Sequence, residues 1–161
     1  MILPLVEAET KNGLVGGLKR KMVRLRALYT SLDFILDAEY TAGMTYDPKS
    51  LKKLILRKQN CVNRFEQLVR SINGAMGGPL GMTAGRKMPS TVPVTLVNRV
   101  KMIPELTPSQ EDVLCPLAED LDQRHLGLME KSRRNGLFFK TALDRMSAAS
   151  KYVNQGKMVT P

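Results

Sequence analysis

The chain has 161 residues, a hydrophobic share of 43% and a formal net charge of +10. That suits one domain with a real core and excludes a wholly disordered chain, while the charge favours acidic partners, nucleic acid and anionic membrane faces among them. With no Trp, 10 Met and few aromatics, the core material is aliphatic and thioether, as in helical bundles rather than aromatic-rich sandwiches.

The first seventeen residues end in Gly13, Gly16 and Gly17 and are poor helix material, since each glycine costs about 1 kcal/mol relative to Ala inside a helix. A helix is predicted over 18–43. Leu18, Met22, Leu25, Tyr29, Leu32, Leu36 and Glu39 follow alternating steps of four and three, the spacing of a supercoiled seam. Leu28 and Ile35 widen that stripe, and only Glu39 is polar. Asp47-Pro48 reads as an N-cap followed by a proline whose missing N–H needs no partner, so a second helix is predicted over 48–73. Leu51, Ile55, Lys58, Val62, Phe65, Val69 and Ile72 repeat the same spacing with one lysine in it, and Gly74 is placed to end the helix in a left-handed cap. Two facing stripes joined by a turn around 42–46 make an antiparallel αα-hairpin.

From 74 to 106 the glycines and prolines exclude continuous helix and predict a linker. Within it 91–100 is β-branched enough to be extended, but it has no second strand to pair with. Helix resumes after Thr107-Pro108-Ser109-Gln110, an N-cap, a first-turn proline and a capping-box partner. A long helix over 107–153 would span roughly 70 Å at about 1.5 Å per residue. Pro116 either kinks it or marks a separate short turn before it. Leu114, Leu117, Leu121, Leu128, Phe139, Met146 and Val153 share one heptad frame. The expected fold is all-α, an antiparallel bundle or coiled coil of two shorter helices and one long C-terminal helix in a single domain.

Candidate chemistry is sparse. Cys61 and Cys115 show no zinc-ligand spacing and read as small buried hydrophobes of a reducing compartment. No metal or cofactor is expected. His125, the single histidine, sits beside Asp122, Gln123 and Arg124 and reads as solvated or ion-paired rather than as a general base. The run from Gly77 to Lys87 lacks P-loop spacing and follows a helix rather than a strand. Glu119, Asp120 and Asp122 do not match a calcium loop and read as a solvated acidic face. With no convergent polar set, the chain is expected not to be an enzyme. Two basic clusters, Lys19 to Arg26 and Lys49 to Lys58, could meet the acidic stretch 105–122 within the fold; they carry no recognisable nucleic-acid signature. The opening residues offer neither the basic flank nor the apolar stretch of a signal peptide, and no apolar run is long enough to span a membrane, so a cytoplasmic location is expected.

The C-terminal helix carries an anomaly. Leu137, Phe138 and Phe139 are consecutive and sweep an arc of about 200°, too wide for one seam. Either linker residues such as Val94, Leu96 and Val100 fold back over them, or a partner covers what is left. Small residues at 147–150 would let another helix approach closely.

The stripe Leu25, Leu28, Leu32, Leu36, Glu39 followed by 51–65, together with Asn135, Leu137, Leu143, Tyr152, Gly156 and Lys157, resembles the FlgN-type flagellar export chaperones. The resemblance implies a cytoplasmic helical chaperone that binds C-terminal helical regions of hook-filament junction proteins until the type III export apparatus takes them. It implies Asn135, Leu137, Leu143, Tyr152 and Gly156 as partner-binding positions. Phe138, Phe139 and Met146 join them from the surface argument alone. A basic nucleic-acid-binding protein and a self-associating coiled coil are the alternatives.

Overall fold

The computed structural model describes residues 3–77, 95–104 and 106–156. Among them there is no strand, and four helices follow in order: α1 (Leu3–Met44), α2 (Pro48–Ala75), α3 (Leu96–Lys101) and α4 (Pro108–Gly156). The fold is all-α, as the periodicity predicts. Hairpin partners α1 and α2 are antiparallel, with Glu39 meeting Lys58 and Lys21 meeting Ser71. Pairings between α1 and α4 advance together instead, Tyr29 to His125, Leu36 to Asn135 and Tyr40 to Phe138, so those two helices are parallel. The order is up-down-up with α1 in the middle: α2 and α4 each pack on it, and the backbones of α2 and α4 stay apart.

Every member of the α1 stripe is buried, from Leu18 and Met22 through Tyr29 to Leu36 and Glu39. Leu18, Met22, Leu25 and Tyr29 form one cluster with Ile72 and Met76 behind α2, Val100 of α3, and Leu114, Ala118 and Leu121 of α4. A smaller cluster of Leu32, Ile35 and Cys61 continues toward the hairpin turn, with Leu28, Val62, Phe65 and Leu128 against it. Burying a Leu or Met side chain is worth about 1.5–3 kcal/mol. That explains the first correction. α1 starts at Leu3 rather than near Leu18 and runs through Gly13, Gly16 and Gly17. Burial of Leu18 and Met22, with Val15 against the same cluster, outweighs glycine costs of about 1 kcal/mol each.

The hairpin turn is built by hydrogen bonds. Tyr46 N–H donates to Gly43 O and Asp47 N–H to Ala42 O, a Schellman pattern in which Tyr46 takes the left-handed position with φ 53°. Asp47 then caps α2, its carboxylate accepting from the amides of Lys49 and Ser50, and Pro48 opens the helix. At the other end α2 runs past Gly74 to Ala75, and the left-handed glycine is Gly77. In the expected α2 stripe Ile72 is buried but Ile55 is half exposed, while Leu54 and Cys61 turn inward. Toward the C-terminal end of α2 the stripe is covered, Phe65, Val69 and Ile72 packing into the cluster that Leu114 and Leu121 of α4 also join.

Part of the expected linker is helix. α3 occupies 96–101 where an extended segment was one expectation, and 78–94 lies outside the described residues. Its N-terminus is held from α4: both oxygens of Asp122 accept backbone amides, Leu96 at 2.9 Å and Val97 at 3.1 Å. Thr95 adds a local cap by accepting from Asn98 N–H. For α4, Thr107 N–H donates to Gln110 Oε1, the expected box contact. Pro116 lies inside one continuous helix, on its exposed side.

Candidate partner-binding surface

Where α1 ends, α4 does not. Gly43 falls on the next seam position after Glu39, and two aromatic rings close over it: a Cβ there would stand 2.8 Å from Phe139 Cε1 and 2.9 Å from Phe138 Cε1. Phe138 and Phe139 pack edge to face at 5.3 Å, Phe138 leans on Tyr40 at 5.1 Å, and the Arg134 guanidinium lies 4.5 Å above the Tyr40 ring. This knot ends the contact between α1 and α4. Beyond it, 140–156 extends for roughly 25 Å at about 1.5 Å per residue.

The proposed site residues divide accordingly. Leu137, Leu143 and Met146 are 66%, 65% and 64% exposed, so each presents most of its side chain to solvent. Phe138 and Phe139 are half-buried against α1, and their cover is α1 itself. Leu96 and Val100 pack at the opposite end, beside Leu18 and Leu114, and Val94 lies outside the described residues. Asn135, expected at the partner surface, instead is 3% exposed and donates its side-chain amide to Leu36 O at 2.7 Å, fastening α4 to α1. Its seam position, in frame with Leu128 and Phe139, is the reason. Tyr152 lies in α4 and Gly156 closes it; the Tyr152 side chain is outside the described residues.

Electrostatics fix the α1–α4 register near this end. Lys131 reaches Asp33 and Asp37 at 2.7 Å each, and Arg134 joins Asp37 at 3.4 Å. The hydrogen bond from Lys131 is the main cause holding the Asp37 carboxyl below its usual range, and the same contacts to Asp33 and Asp37 raise Lys131. The only polar member of each hairpin stripe finds the other, since Lys58 Nζ bonds both oxygens of buried Glu39, at 2.7 and 2.9 Å. Acid for these inter-helix ion pairs comes from α1. Among the described residues the 106–122 stretch makes none to the basic clusters: Asp120 pairs with Arg124 on its own helix, and Asp122 caps α3.

A second polar cluster sits nearer the core. Tyr29 Oη lies 3.2 Å from exposed His125 Nδ1, with Asp122 and Arg99 around a cleft of about 220 Å³. Burial first, then the negative charge of Asp122, push the Tyr29 hydroxyl from 10.0 up to about 12, so it stays a neutral phenol. Among the described residues no group of three or more His, Cys, Asp or Glu is arranged to hold a metal ion. Nor is any helix there long and apolar enough to cross a membrane.

Sequence reasoning missed five contributors. Gly43 is the last residue of the helix predicted over 18–43, and it also continues the seam spacing. Tyr40 and Arg134 lie off the seams, and their stacking follows only once the two helices are parallel. The exposed Leu126 and Met129, at 63% and 58%, face outward from α4 and extend its apolar surface.

These features define an all-α bundle with one helix prolonged beyond its neighbours. No protein-family model, curated protein or solved structure matches the chain.

Proposed function

We propose that this is a non-catalytic helical binding protein, an export chaperone whose cargo is the C-terminal helical region of flagellar hook-filament junction proteins. The observation that carries the reading is the prolonged end of α4, with Leu143 and Met146 left about two-thirds exposed past the Phe138–Phe139 knot and Leu137 equally exposed just before it. Leu143 and Met146 are three residues apart on one helical face, spaced to pair with an apolar stripe on a second helix. A cargo helix covering them gains about 25 cal/mol per Å² of apolar surface removed from water, enough for a complex that forms and later releases. The flagellar assignment rests on the sequence resemblance, and the physical reading of a helix-binding end stands beside it.

The test is calorimetric titration with a C-terminal fragment of a hook-associated protein. Leu143→Asp together with Met146→Asp is expected to weaken a one-to-one complex by about tenfold or more while helicity measured by circular dichroism is unchanged. Undiminished binding by that double variant overturns the site, and no binding by the wild-type protein overturns the cargo.

A further inference from the structure

The α1–α2 hairpin carries a second seam that the fold leaves uncovered, bordered on one side by the Asp37 contacts to α4. On α1, Ala27, Ser31, Phe34, Ala38, Thr41 and Thr45 follow steps of four and three, and all line two adjoining open clefts of about 570 and 1000 Å³. Ser50, Lys53, Arg57, Arg64, Gln67 and Ser71 line the same clefts from α2. Because the stripes run along both helices, the groove is straight and about 30 Å long at about 1.5 Å per residue. Its floor has small and apolar side chains, with Leu28, Leu54 and Leu68 beneath, and Phe34 and Leu56 stand 69% and 59% exposed at its lips.

Its net charge is positive, four cations against two acids. Arg24, Lys53, Arg57 and Arg64 line the groove, and none of the four is in an ion pair among the described residues. The two acids present are engaged: Asp37 holds Lys131 and Arg134, and Asp47 caps α2. The chain's own segment 78–94 contains Arg86 and Lys87 and no acid, so its charge does not complement the groove.

We propose that this groove is a docking site for an acidic amphipathic helix of a partner protein. The helix lays apolar side chains on Ala27, Leu28, Phe34 and Leu68, and its flanking carboxylates meet Arg24, Lys53, Arg57 and Arg64. A nucleic-acid strand would satisfy the cations but leave the apolar floor uncovered, with Phe34 as its only stacking ring. The site is separate from the prolonged end of α4 and does not depend on what binds there.

The probe is a labelled model peptide of about 20 residues, the length of the groove, with Leu at seam positions and Glu beside them. Its counterparts are the same peptide with Lys for Glu and a single-stranded DNA oligomer, all read by fluorescence anisotropy on the full chain. The acidic peptide binds, the basic one does not, and Arg24→Glu, Arg57→Glu and Arg64→Glu together weaken the acidic peptide about tenfold or more. Phe34→Ser, at a solvent-facing position, weakens it without touching charge, whereas Leu143→Asp with Met146→Asp leaves it unchanged. Equal binding of the two peptides, or indifference to both the charge reversal and Phe34→Ser, overturns the proposal. So does tighter binding of the DNA that the reversal abolishes, or a dimer by light scattering that the reversal dissociates.

Discussion

Gly43 is where a single missing methyl group decides whether two helices can close. Phe138 and Phe139 brace each other and Tyr40, so neither ring can swing away cheaply. Gly43→Ala is expected to cost roughly 1–2 kcal/mol despite its better helix propensity, whereas Gly17→Ala, with nothing within 4 Å of the new Cβ, gains about 0.5–1 kcal/mol. Thermal melts of the two variants should shift in opposite directions. The Glu39–Lys58 pair behaves differently. Lys58→Met leaves a buried carboxylate unpaired, and a loss of about 2–3 kcal/mol is expected, reduced by the partial solvation of Lys58. Glu39→Leu with Lys58→Leu should recover most of it, measured as a double-mutant cycle in urea. At Tyr29 the fold favours the neutral phenol, so above pH 10 the unfolded chain loses its proton first. Stability should therefore be complete below pH 10 and fall as pH rises toward about 12, and Tyr29→Phe should flatten that part of the alkaline melting curve.

α3 shows how an element can depend on a residue far away in the chain. Six residues are too few to hold a helix alone, and the carboxylate of Asp122 supplies acceptors for its first amides. Asp122→Ala is expected to cost about 1–2 kcal/mol and to remove hydrogen-exchange protection from 96–101 while α1 and α2 keep theirs. Local pattern shows only the Thr95 cap on Asn98, while the amides of Leu96 and Val97 are satisfied from the next element. α1 was legible for the opposite reason: its seam is continuous, and each stripe residue from Leu18 to Glu39 is buried. The start of α1 was hidden because glycine propensity is local while burial of Leu18 and Met22 is tertiary. In α2 the periodicity was right and the facing only half right, since Ile72 is buried on the expected stripe whereas Ile55 is half exposed and Leu54 and Cys61 turn inward. The exposure of Leu137 was legible in its excess over one seam, whereas Leu143 followed only from the resemblance, and Met146, placed on the seam, is exposed because it lies beyond the last residue of α1 to pack on α4. The site was illegible in Asn135, whose side chain serves the α1–α4 contact.

At the scale of the molecule, α1 is the shared element. The backbones of both α2 and α4 lie against it and their side chains share its core clusters, so a substitution in the α1 seam should loosen both neighbours at once. Polar bonding is complete within this arrangement: among the described residues no buried side-chain nitrogen or oxygen lacks a partner. Two outward surfaces remain, the apolar end of α4 and the cationic groove of the hairpin, on different sides of α1. The two surfaces share no lining residue, so each can be changed without the other.

The stagger of α4 past α1 also sets how the protein diffuses. A helix of 49 residues has a contour of about 70 Å, while a spherical domain of this chain length has a radius of gyration near 15 Å. An elongated particle experiences more hydrodynamic drag than a sphere of the same mass. On a gel-filtration column calibrated with globular standards, a monomer should therefore elute early and counterfeit a dimer, while light scattering on the same peak returns 18.0 kDa.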